Sequence, residues 1–260
     1  MLHLLRRHPF PVEAHLDRCL ALTYAFPAEL LASLLPPGLV IDRYGEFGFI
    51  AIALVDTRNL RPAFLPGPLG QSFFLCGYRV FTRLGTSGSA LRGLYILRSD
   101  TDRRLMAYLG NVFTYYRYRR CQAAMESFGN RMIWEVSTPS GEADLRVTLD
   151  RDAKKACLPE GSPFPDWKAA RRFAGPLPYT FDFERETGSI ISVRGTRGEW
   201  NPQPVAVAVD KPSFFEREPF KQVQPVLANA FYVENVPYHW DRGRRVSASE
   251  IDGNRFDAEP

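Results

Sequence analysis

"ILRSDTDRRLMAYLGNVFTYYRYRR", residues 96–120, decides how the chain is read. It opens inside "ALRGLYILRS" (90–99), a run with the β-branched and aromatic content of a strand. The period then changes. Residues 99–110 predict a helix, capped by Ser99, Asp100 or Thr101, apolar through Leu105, Met106 and Leu109, and stopped at Gly110. The next ten positions, "NVFTYYRYRR" (111–120), hold four aromatics and three arginines and predict a strand over 112–120. Alternation places Phe113, Tyr115, Arg117 and Arg119 on one face of that strand and Thr114, Tyr116, Tyr118 and Arg120 on the other. If one face lines a cavity, its arginines need anionic partners, because an unpaired interior charge is costly. Asp100, Asp102, Glu135 or a ligand would serve.

Strand-like runs dominate the rest of the chain. They are 19–26, 47–57, 71–83, 131–138, 143–150, 189–196, 204–210 and 226–236, separated by turn clusters such as "TPSGE" and "ETGS". The pair 131–138 and 143–150 reads as an antiparallel hairpin across a Gly-containing loop. Helices are predicted only at "PAELLASLLPPG" (27–38), at 99–110 and at "FPDWKAARRFAG" (164–175). The fold class is therefore β-rich α+β, with one domain over 1–246. The tail 247–260 loses its apolar pattern and is expected to be mobile.

Composition sets limits on function. The 260 residues are 45% hydrophobic and 24% charged, as in an ordinary globular domain. The apolar stretch Phe47–Val55 is too short to span a bilayer, and the N-terminus lacks a signal-peptide core, so the expectation is a cytoplasmic protein with no membrane partner. Cys19, Cys76, Cys121 and Cys157 show no C-x-x-C spacing, and His3, His8, His15 and His239 form no ligand pair, so neither a metal site nor a cofactor is expected. Net charge is +4, and only five of the 33 Lys and Arg residues are lysines. Arginine forks onto carboxylate or phosphate, whereas lysine supplies amine chemistry. The first 153 residues contain no lysine.

Three blocks carry a family resemblance: "RHPFPVEAHLDRCLALTYAFPAELLASLLPPGLVIDRYGEFGFIAIALV", "FFLCGYRVFTR" and "ILRSDTDRRLMAYLGNVFTYYRY". With the late block "NAFYVENVPYHWDRG", they resemble the YqjF-like family of bacterial proteins, itself similar to the acetoacetate decarboxylase superfamily. The resemblance implies a curved antiparallel sheet closing into a cone-like β-barrel, with helices outside and a ligand cavity within. In the decarboxylase, adjacent lysines build a Schiff base on the strand after the helix. Tyr115 and Tyr116 stand at the matching positions, and a phenol forms no imine. The acidic residue of the preceding strand is also missing, with Phe74, Leu75 and Cys76 in its place. Lys154-Lys155 repeats the lysine pair only in letters.

The candidate site is therefore aromatic and arginine-lined. Arg79, Arg98 and Arg117 would hold an anion, Tyr78 would offer a hydroxyl, Asp100 would orient an arginine, and Tyr115 or Tyr116 would act as acid. The leading reading is a protein that binds a small organic anion, a carboxylate with an apolar body. A lyase or dehydratase on the same scaffold is the alternative, with the oxyanion held by arginine and tyrosine. Single-stranded nucleic-acid binding through the Arg/Tyr strand is a third reading, disfavoured by the moderate charge and the lack of a basic run. No nucleic-acid partner is expected, and a homo-oligomer stays open.

Overall fold

The computed structural model describes residues 2–85, 90–152, 157–175, 177–210, 212–247 and 250. Lys154-Lys155 and nearly all of the tail lie outside the described residues. Among the described residues, fifteen strands and four short α-helices make a strand-rich α+β fold. The large sheet is built on β1 (Val12–Pro27), β3 (Phe47–Pro62), β4 (Gln71–Leu84), β5 (Leu91–Thr101), β10 (Tyr179–Glu184), β11 (Ser189–Arg197) and β14 (Val226–Trp240). Hydrogen-bonded neighbours follow the order β14-β1-β3-β4-β5-β10-β11, and β11 pairs again with β14 through Gly195–Arg197, so the pairings return on themselves. The β5–β10 step is parallel, while the other pairs named here are antiparallel. A second, four-stranded sheet stacks on the first: β13 (Ala206–Asp210), β9 (Leu145–Asp150), β8 (Arg131–Ser137) and β7 (Gln122–Phe128). Its β8–β9 pair is the hairpin read from the sequence.

Residue size on the two faces of the large sheet explains why one side is solid and the other hollow. Toward the second sheet, β1 and β3 present Leu20, Leu22, Tyr24, Ile50, Ile52 and Leu54, which pack with Trp134, Val136, Val147 and Leu149 into the main core. The opposite face carries Cys19, Ala21, Thr23, Ala51, Ala53 and, on β4, Gly77. Both faces are covered, so the strands read as continuous apolar runs rather than alternating ones. The small side chains leave space unfilled on the second face.

The deciding stretch folds differently from its prediction. Strand β5 runs on to Thr101, and the helix α3 is Arg104–Phe113, with Gly110 inside it rather than at its end. Gly110 is a notch for the Tyr118 ring: a Cβ there would lie 2.3 Å from Tyr118 Cδ2. The Asn111 side chain completes the latch, donating to Tyr118 O and accepting from Tyr118 N, both at 2.8 Å. Thr114 is extended, Arg117 turns the chain at φ 56°, and only Tyr118–Arg120 pair as a strand, β6, parallel to Ser99–Thr101. The predicted strand 112–120 is thus a helix end, a turn and three strand residues. Tertiary contacts of Gly110 and Asn111 override the β-propensity of the run.

Candidate functional site: an apolar cavity lined by arginines

The hollow face encloses a cavity of about 280 Å³. Its walls alternate along each strand: Ala51, Ala53 and Val55 on β3, Phe73, Leu75 and Phe81 on β4, Leu94 and Ile96 on β5, and Phe231 and Val233 on β14. Met106, Leu109 and Phe113 of α3 close one side. No aspartate or glutamate among the described residues lines it.

Two of the predicted site residues, Arg79 and Tyr116, line this cavity. Arg79 makes no hydrogen bond or ion pair with any described residue, and its Nε is buried without a partner. Its guanidinium lies over Gly77, where a Cβ would sit 3.0 Å from Nε, so the absent side chain is what lets it fold there. The Tyr116 hydroxyl is likewise buried without a hydrogen-bond partner. Burial first, and then the nearby Asp182 carboxyl, raises its pKa well above the usual phenol value.

The other five lie elsewhere. Tyr78 points to the opposite face of β4, stacks on Phe214 at 4.1 Å and donates to Ala143 O. Arg98 and Asp100 also face away from the cavity, as a bidentate pair at 2.6 and 2.8 Å, with Glu142 as a further partner of Arg98. A bulge causes this. Tyr78 pairs with Arg98 but Arg79 pairs with Ile96, so Leu97 is an extra residue and the parity of β5 inverts beyond it. Tyr115 is a half-buried ring whose hydroxyl meets Glu184 and Glu186 at 3.4 Å. Arg117 is exposed and donates to Tyr95 Oη at 2.9 Å.

Four further groups were not singled out in the sequence. Arg197, at the end of β11, lines the cavity between Trp200 (5.3 Å) and Tyr238 (5.2 Å) and donates to Leu177 O. It has no carboxylate partner among the described residues. Alternation along Ile191, Val193, Gly195 and Arg197 was the available signal. Cys19 lines the cavity within the field of both arginines, yet burial outweighs them and pushes its thiol up to about 11. His8, buried with its ring tilted against that of Tyr116 at 4.9 Å, is pushed down to about 4 by burial and is neutral at pH 7. Asp182 belongs to β10, a strand the sequence reading did not include. It is 3% exposed, its Oδ2 has no partner, and burial raises its pKa to about 7.

No three described His, Cys, Asp or Glu side chains cluster to hold a metal ion, and no described helix is long and apolar enough to cross a membrane. A comparison with curated proteins finds no match. Among solved structures, the chain is similar to acetoacetate decarboxylase from Legionella pneumophila, with a TM-score of 0.63 and 10% identity over 92% of this chain and 88% of that one. It is also similar to the enduracididine biosynthesis enzyme MppR complexed with pyruvate, with a TM-score of 0.61 and 11% identity over 92% and 91%. A third likeness is to an acetoacetate decarboxylase-like enzyme from Sphingomonas wittichii RW1, with a TM-score of 0.57 and 12% identity over 94% and 95%. Identities this low establish the fold alone, which is acetoacetate decarboxylase-like. Residues 13–241 match the family model of DUF2071, "Uncharacterized conserved protein", and the chain belongs to that YqjF-like family.

Proposed function

We propose that this protein binds a small organic anion, a carboxylate with an apolar body, inside a cone-like barrel closed by the ring of strand pairings, and that it does so in the cytoplasm without a Schiff-base lysine. Arg79 is the anchor and Tyr116 its neighbour. One observation carries the reading: a guanidinium with a buried, unpartnered Nε on the wall of an apolar cavity that no described acidic residue lines. An unpaired buried cation is costly, and a charge-assisted fork to a carboxylate offsets that cost. The walls suit the apolar remainder of such a ligand. A structural neighbour complexed with pyruvate, a small carboxylate, supports the choice of anion. The test is a thermal-shift series with butyrate, pentanoate and hexanoate. The parent protein should be stabilised and Arg79→Met should not respond; a parent with no response sinks the reading.

A second reading, a lyase or dehydratase, is favoured by Asp182. A buried carboxyl poised near neutrality beside an unpartnered phenol has the character of an acid–base pair. It predicts exchange of α-protons of a bound 2-oxo acid with deuterated solvent, and Asp182→Asn should abolish that exchange. Equal exchange in parent and variant would remove this reading.

A further inference from the structure

The cavity holds a second cation with no carboxylate partner among the described residues, which narrows the ligand further. Elsewhere the shielded arginines are partnered, mostly by carboxylates: Arg7 by Glu184, Arg92 by Asp42, Arg98 by Asp100, and Arg120 by the Asp102 backbone carbonyl. Arg61, which also lines the cavity, is held by Glu13 at 2.8 Å and donates to Leu65 O. Arg79 and Arg197 break this pattern together, in the same cavity. His8 contributes no charge at neutral pH, so these two guanidiniums set the sign of the walls.

Their positions differ as much as their settings. Arg79 projects from β4 and Arg197 from β11; β5 and β10 stand between them on one side of the ring, and β3, β1 and β14 on the other. They approach from opposed walls, with Cys19 of β1 in the field of both. Arg79 rests over Gly77, while Arg197 is clamped between two aromatic faces with one N–H fixed on Leu177 O. A clamped planar cation is pre-organised for an acceptor in its own plane. A monocarboxylate on Arg79 leaves Arg197 unmatched.

We infer that the preferred ligand is a small dicarboxylate, with one carboxylate on Arg79, the other on Arg197, and a short apolar spacer against the alanine-lined wall. This rests on the anion-binding reading and adds a second charge and a length. Two opposed cations with no acid between them are matched in full only by a dianion.

Calorimetric titration tests it with pairs of equal chain length: succinate against butyrate, glutarate against pentanoate, adipate against hexanoate, in buffer free of phosphate. At least one dicarboxylate should bind about tenfold or more tightly than its partner acid. Arg197→Met should bring that dicarboxylate down to the level of its partner monocarboxylate, abolishing the preference, and Arg197→Lys should retain part of it. Arg79→Met should weaken both classes. If monocarboxylates bind and no dicarboxylate binds better, the dianion inference fails and the anion-binding reading stands. If neither class binds the parent, both fail. The parent series decides the matter even if Arg197→Met does not fold.

Discussion

The two faces of β4 and β5 treat the same residue type in opposite ways. Between the sheets, Arg98 is forked onto Asp100, and Glu142 gathers Arg98, Arg119 and Arg217. Glu142 is held at about 2, first by its hydrogen bond to Arg217. On the cavity face, one residue pair away, Arg79 has no hydrogen-bond or ion-pair partner among the described residues. A satisfied network rigidifies the stack, whereas an unsatisfied cation is a cost that persists until something anionic arrives. Partnering, rather than the presence of arginine, separates the inter-sheet face from the cavity face here.

The largest expected effect comes from breaking the satisfied side. Arg98→Met strands Asp100, fully buried, beside Glu142, and should lower unfolding free energy by about 3–5 kcal/mol in urea titrations. A loss below about 1 kcal/mol would mean that the network does not support the stack.

Asp182 sharpens the contrast, being an acid on the unsatisfied side. Its folded pKa of about 7 lies above its ordinary 3.8. Between those values the native carboxyl keeps a proton that the unfolded chain has released. Stability from this group is therefore full below about pH 4 and is lost as pH rises to about 7. Asp182→Asn removes the dependence and should raise stability at pH 8 by on the order of 3 kcal/mol, with no gain at pH 4. Denaturation of parent and variant at both pH values checks it; parallel pH profiles would contradict the assigned burial.

Arg79→Met belongs at the small end. With no carboxylate left behind, its effect without ligand should lie within about 1 kcal/mol and tend toward stabilisation. A loss as large as that of Arg98→Met would place Arg79 with the scaffold. Gly77→Ala should be smaller still in stability, since the nearest atoms its Cβ would meet belong to the movable guanidinium, at 3.0–3.4 Å. It should nonetheless weaken carboxylate binding several-fold by re-aiming Arg79.

Much of this was legible in the sequence. The long strands announce themselves because both faces are covered, and Arg79 is recognisable in "CGYRVF", where alternation puts it on the Gly77 face. The stretch 112–120 was not, because the Gly110 notch and the Asn111 latch act only once Tyr118 is in place. The partnering of arginines was not legible either: Glu142 stands 44 residues from Arg98 along the chain. Asp182 escaped for a third reason. In "YTFDFE" the aromatics alternate with Thr180, Asp182 and Glu184, a pattern that belongs equally to a solvent-facing strand.

The extra residue in β5 has an evolutionary consequence. Leu97 alone sends Arg98 and Asp100 to the far face while Leu94 and Ile96 keep to the near one. Deleting that single codon would leave the charges where they are, because Arg98 would follow Ile96 directly and keep its place opposite Tyr78. Ironing the bulge out without removing a residue would instead slide the rest of β5 by one and turn Arg98 and Asp100 into the chamber. What descent has to preserve here is the register beyond Leu97, not the leucine itself.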